Sequence, residues 1–268
     1  MRVAFGAAAF ALAFAVTGRV VLGLAGQTMH GQPEIQWKHL SSATGDLPLP
    51  GESQQQTGAL VADLDKDGVN DFVLSFRQRA PALVWYRRNS RGWNRYVIEK
   101  EFLTVEAGGA AYDIDGDGYP DLVFGADYQG DELWWWRNPG GHYDPNVSWE
   151  RHTIKKGGAH QFHDQIFGDF EGTGKPQLVF WNQGSKTLYI AEIPPDPRHA
   201  NQWPMQVVYS GTAGEGPGKY AEGLGPSISM ETGESICSPA TTGSSTRAAG
   251  TFVRSRSPTS VGGSQPVD

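Results

Sequence analysis

The sequence predicts an all-β fold: a β-propeller fragment of about three to four four-stranded blades, with a disordered C-terminal tail. Three observations carry that expectation. A nine-residue acidic loop is written twice, as D-L-D-K-D-G-V-N-D at Asp63–Asp71 and as D-I-D-G-D-G-Y-P-D at Asp113–Asp121. Each copy runs into a short apolar, β-prone stretch, F-V-L-S or L-V-F-G, so each loop opens a strand. A tryptophan recurs at positions 37, 93, 149 and 203, at intervals of 56, 56 and 54, and opens W-K-H-L, W-N-R-Y-V-I, W-E-R-H-T-I and W-P-M-Q-V-V. Periods of this length mark arrays of supersecondary units that bury their faces against one another.

The order of segments inside each unit is fixed. A strand of small residues (58–62, 108–112) leads into the acidic loop. An apolar strand follows (72–76, 122–126, 178–181), then a second (83–86, 133–136, 188–191), and then the strand opened by tryptophan. Four short strands per unit is the pattern of a propeller blade.

The loops carry the chemistry. Asp63, Asp65, Asp67 and Asp71 stand at positions 1, 3, 5 and 9, as do Asp113, Asp115, Asp117 and Asp121, with glycine at position 6 (Gly68, Gly118). Hard oxygen donors at this density suit calcium, and the residues at position 7, Val69 and Tyr119, can add a backbone carbonyl. An EF-hand requires glutamate at position 12, where Leu74 and Phe124 stand instead. The plainer alternative is a solvated acidic turn, since Asp and Gly are ordinary turn formers. In the third unit, D-F-E-G-T-G-K-P-Q at Asp169–Gln177 keeps the position 6 glycine but has Thr173 and Gln177 at positions 5 and 9 and Lys175 at position 7. The same turn is expected there, with weak calcium binding or none.

Residues 1–25 read as a signal peptide. Arg2 precedes an apolar run from Val3 to Val16, and Gly23-Leu24-Ala25 offers small residues near a cleavage point. The run is too short for a spanning helix and Arg19 interrupts its extension, so no membrane span is expected after cleavage; an uncleaved anchor is the alternative. The expected location is secreted, periplasmic or cell-surface. A formal charge of −7 without a basic cluster argues against a nucleic-acid partner. Cys237 is the sole cysteine, so no intrachain disulfide can form.

The D-x-D-x-D-G-x-x-D loops and the strands after them resemble the FG-GAP/VCBS repeat family, whose relatives include the β-propellers of integrin α subunits. The resemblance covers residues 33–224. It implies calcium held between the first two strands of a blade, and it says little about the ligand.

The repeat stops after Leu224, where spacing calls for another acidic loop near residue 227. Residues 225–268 are instead rich in Ser, Thr, Gly and Pro, which reads as a disordered polar tail. The genetic code offers a sharper account. Let each codon take the third base of one residue and the first two bases of the next. Gly225–Ser244 can then encode A-V-D-I-D-G-D-G-G-V-D-L-L-A-G-N-Y-W-F, and Met230-Glu231 forces the first loop glycine. This product parallels Ala111–Gly125 closely, so 225–268 is expected to be a frameshifted tail. The in-frame blades should then form an open arc with exposed faces that invites self-association, with 37–40 a ring-closing strand lacking its partner.

Outside the loops, His160, His163 and Asp164 in G-A-H-Q-F-H-D-Q form the densest group of acid/base or ligand side chains. Their plainer use is to line the strand entering the third unit. Trp134-Trp135-Trp136 can stack on sugars, but in a strand Trp135 points away from its neighbours, which favours packing between blades. The function expected is a secreted, calcium-binding module that binds or scaffolds an extracellular protein or carbohydrate. The competing class is a polysaccharide lyase or hydrolase using His160 and His163. Resequencing the source DNA across codons 220–230 is expected to reveal a change of frame; an intact frame would refute that account of the tail.

Overall fold

Residues 36–210, together with strands at 224–228 and 235–239, are described by a computed structural model. Twelve strands form three four-stranded antiparallel sheets, each meandering in chain order. The first blade is β1 (Gln54–Ala62), β2 (Asp71–Gln78), β3 (Leu83–Asn89) and β4 (Gly92–Glu99). The second is β5 (Ala110–Tyr112), β6 (Asp121–Gly125), β7 (Glu132–Arg137) and β8 (Glu150–Lys156). The third is β9 (Phe162–Gly168), β10 (Gln177–Asn182), β11 (Thr187–Glu192) and β12 (Met205–Ser210). The all-β, blade-like architecture read from the sequence is the architecture found.

The first strands of successive blades lie side by side, β5 beside both β1 and β9. Small residues are required where these strands converge. A Cβ on Gly58 would come within 2.7 Å of the Gly108 carbonyl oxygen, closer than side-chain carbons ordinarily approach. The small-residue strand that leads each unit is therefore a steric consequence of blades meeting near a common axis.

Period-two alternation assigns each side chain to one interface. Trp134 and Trp136 on β7 pack toward the first blade with Val73, Leu83, Trp85 and Ile98. Leu133 and Trp135 point the other way, onto Phe162, Leu178 and Phe180 of the third. All three tryptophans are buried, so this triplet is packing between blades and offers no sugar platform. Two backbone hydrogen bonds repeat the joint: Trp149 N–H donates to the Ile98 carbonyl and Trp203 N–H to the Ile154 carbonyl, both at 2.9 Å. These donors stand 54 apart and the acceptors 56 apart, so the period seen in sequence is a period of contacts.

Two expectations need correction. Residues 37–40 form no strand, and Trp37 is 91% exposed; an extended segment without a pairing partner leaves its backbone groups to water. The outward face of the first blade is not bare. Phe76, Val84 and Tyr86 are buried there, Leu47 packs against them, and the Tyr86 hydroxyl donates to the Pro48 carbonyl at 2.9 Å. The segment preceding β1 thus covers a face that sequence reasoning left exposed. Beyond the third blade, β13 (Leu224–Ile228) and β14 (Ser235–Pro239) form an antiparallel pair at the start of the polar tail, with β13 lying beside β9. The rest of that tail, and the signal-peptide reading of 1–25, lie outside the described residues.

Candidate metal centre in the blade loops

Each acidic loop joins the first two strands of a blade and is shaped by its own carboxylates. Asp63 at position 1 accepts from the backbone N–H groups of Asp67 (3.1 Å) and Gly68 (2.9 Å). Asp113 accepts from Gly118 N–H at 2.9 Å. Asp67 and Asp117 at position 5 accept from Val69 and Tyr119 N–H at 2.9 and 3.0 Å. The position 6 glycines take φ values of 86° and 93°, a left-handed conformation that disfavours any side chain. Val69 and Tyr119 therefore enter these turns through their N–H groups.

The turn brings like charges together. One carboxylate oxygen from each of Asp63, Asp65 and Asp67 lies within 4.8 Å of the others, and the same holds for Asp113, Asp115 and Asp117. Among the described residues these are the two groups of three or more acidic, His or Cys side chains so arranged. Asp113 Oδ1 is buried without a hydrogen-bond partner, which suits an oxygen reserved for a cation. An all-carboxylate donor set of this density fits a hard divalent ion such as calcium.

Asp71 and Asp121, read as position 9 ligands, also hold the turn to its strand, while Asp71 Oδ2 is buried without a hydrogen-bond partner. Asp121 is wholly buried and accepts from Ile114 N–H (2.9 Å) and Asn138 N–H (2.7 Å). Burial pushes its carboxyl up to about 7 against the pull of those two N–H groups. Asp71 accepts from Arg88 N–H at 2.8 Å, and burial likewise raises it. The third loop clarifies the role. Gln177 stands at position 9 and its Oε1 accepts from Phe170 N–H at 2.9 Å, as Asp121 does from Ile114. An amide serves as well as a carboxylate there, so position 9 ties the loop to its strand. Asp169 meanwhile reproduces the position 1 bonds, to Thr173 and Gly174 N–H at 2.9 and 2.7 Å. The third turn survives with its position 5 and 9 carboxylates gone, as its sequence predicts.

Sequence reading missed the arginines. Arg87 pairs with Asp65, while Arg137 donates from Nε to Asp115 (2.6 Å) and from Nη2 to Asp117 (2.7 Å). Their signal was present: each arginine follows its loop's first aspartate by 24 residues, 63 to 87 and 113 to 137. Beside Leu178, which pairs with Ala191, the corresponding place in the third blade is held by Glu192. The third loop keeps a carboxylate at position 3, Glu171, with no arginine at the corresponding place. Burial raises Asp115, but the hydrogen bonds from Arg137 and Arg198 outweigh this and hold it below the usual carboxylate range.

The connection between the last two strands of the next blade reaches back to each loop. Asn138 Nδ2 and the Tyr143 hydroxyl donate to the Leu64 carbonyl in the first loop, at 3.0 and 3.1 Å. Arg198, from the third blade, donates to Asp115 in the second loop at 2.5 and 3.0 Å. Lys66 lies over the Tyr119 ring at 5.8 Å and links the two loops.

The His160–Asp164 segment enters β9. His160 is exposed, and its carbonyl accepts from Gly184 N–H at 3.1 Å. His163 is half-buried with Nδ1 3.3 Å from Asp164 Oδ1. His160, His163 and Asp164 are not among the clusters with metal-ligand spacing. A separate buried network joins all three blades: Arg77 donates to Glu106 at 2.5 Å, Gln161 donates to Glu106 at 3.0 Å, and Arg77 lies 3.8 Å from Asp127.

Antiparallel four-stranded sheets in chain order, with an acidic turn between the first two strands, define a propeller-type repeat protein. Residues 113–180, about a quarter of the chain, match the model of the FG-GAP-like repeat. The match begins at the first aspartate of the second loop and ends within β10. Comparison with curated proteins found no match. No helix among the described residues is long and apolar enough to cross a membrane.

The double acceptor role of Asp121 leads to a prediction. Asp121→Ala strands two buried N–H groups, each costing roughly 1–3 kcal/mol. Urea denaturation in calcium-free buffer should therefore show a loss of about 2–6 kcal/mol; an unchanged midpoint would show that the two N–H groups find other acceptors.

Proposed function

We propose that the chain is an exported, calcium-stabilised binding or scaffolding module of the propeller type, with an extracellular protein or carbohydrate as its ligand. The repeated carboxylate cluster in the turn of the first and second blades carries this reading. Asp63, Asp65 and Asp67 would hold one ion, and Asp113, Asp115 and Asp117 another. Calcium there supplies positive charge that offsets the repulsion within each turn. Its role is structural: it stiffens the hairpin from which the blade's second strand departs. The apolar run at Val3–Val16 supports export, and an extracellular setting supplies calcium at concentrations that fill weak sites.

Binding, rather than hydrolysis or lysis of polysaccharide, accords best with the acid/base candidates. The exposed His160 and the half-buried His163 stand at the entry to a strand, and the tryptophan triplet is consumed by packing rather than left open to a sugar. The tail from residue 225 remains, in this reading, a fourth blade written out of frame.

Calcium should raise the thermal unfolding midpoint of the full chain and EDTA should reverse it. Each site filled at a hundredfold excess over its Kd stabilises by about 2.7 kcal/mol. Asp63→Asn combined with Asp113→Asn should abolish the response, and a parent chain indifferent to calcium would sink the metal reading. On arrays of glycans and extracellular proteins, ligand should be retained without turnover; unsaturated products from acidic polysaccharide would establish a lyase instead.

A further inference from the structure

We propose that Arg198 is a cation-sensitive strap: it lowers the affinity of the second loop for calcium below that of the first and is released when that loop fills. The inference rests on the calcium reading of the loops given above.

The two loops share a sequence pattern but differ in how the following blade holds them. At the first loop the reaching groups are neutral. Asn138 and Tyr143 take the Leu64 carbonyl, a backbone acceptor at position 2, and leave the carboxylates to Arg87. At the second loop the reaching group is a cation, and it takes a carboxylate directly. Arg198 Nε and Nη2 both donate to Asp115 Oδ2, the atom that also accepts from Arg137 Nε. Asp115 is only 3% exposed, so its charge is poorly screened by water, whereas Arg198 is 41% exposed and has solvent to return to. Two guanidinium groups thus neutralise the central carboxylate of the second loop, against one for the first.

A divalent ion among Asp113, Asp115 and Asp117 draws on the same negative charge. Repulsion between that ion and two nearby guanidinium groups opposes binding. Arg137 is anchored in β7 and also holds Asp117, so it is poorly placed to leave. Arg198 sits on the connection between β11 and β12, which contains Pro194, Pro195 and Pro197 and forms one wall of a groove whose other walls include Asp113, Asp115 and Glu171. It is the group that yields. Below its release point the connection is tied to the second loop; above it, the connection is held at its far end by the Trp203 bond to Ile154.

Calorimetric titration of the full chain with calcium chloride tests this. Two classes of site are expected, and Asp63→Asn, which removes the tighter class, assigns the weaker one to the second loop. Arg198→Gln should tighten the weaker class about three- to tenfold and leave the tighter one unchanged, while Arg198→Lys, which keeps the charge, should stay near the parent. Amide exchange on the unmutated chain gives an independent reading. Protection across 193–202 should fall as the weaker class fills, with Trp203 still protected. Unchanged or weaker affinity in Arg198→Gln overturns the proposal, as does exchange across 193–202 that stays level or slows. If the parent binds at both sites and these effects are missing, the strap alone fails. If the parent binds no calcium, the metal reading fails and the strap falls with it.

Discussion

Like charges gathered in one turn repel, and the loop end of this molecule is organised around containing that repulsion. Three means are used together. Backbone N–H groups of the turn itself point at Asp63, Asp67, Asp113 and Asp117. An arginine from the third strand of the same blade meets the position 3 aspartate. The neighbouring blade then closes over the loop from outside, through Tyr143 and Asn138 in one case and Arg198 in the other. The third loop, with carboxylates left at Asp169 and Glu171 alone, has Glu192 where the others have arginine. A divalent ion held by the same carboxylates would add a fourth means.

Much of this was legible in the sequence, for a physical reason. Period-two alternation and a fixed loop pattern are local properties, so the strands, the turns and the opposed directions of Trp135 and its neighbours could be read one residue at a time. The survival of the third turn was legible on the same ground, because Asp169 and Gly174 set its geometry without help from the residues that changed. What could not be read depends on distance in the chain. Pairing of Arg198 with Asp115 spans 83 residues, and the cover that Leu47 and Pro48 give to the first blade obeys no period. The backbone-accepting role of the position 9 aspartates was hidden for a subtler reason. A carboxylate that accepts backbone N–H groups and one that binds metal have the same letter, and the glutamine at position 177 is the one sign of the first use.

Burial sharpens these distinctions. Asp121 lies among apolar side chains and gains its partners from the backbone, so its charge is opposed by desolvation. Asp115 is less enclosed and faces two guanidinium groups, and the balance tips the other way. Residues six apart in one loop thus sit on opposite sides of the ordinary carboxylate range. Sequence similarity between the loops therefore says less about their cation chemistry than the strands and connections that surround them.

The clasp between blades has a direction. In each joint the earlier blade offers a carbonyl on its outermost strand, Ile98 or Ile154, and the later blade supplies the N–H of a buried tryptophan. A chain emerging from the ribosome completes the acceptor before it makes the donor. Each joint is thereby written in chain order, the accepting strand first and the donating tryptophan after it.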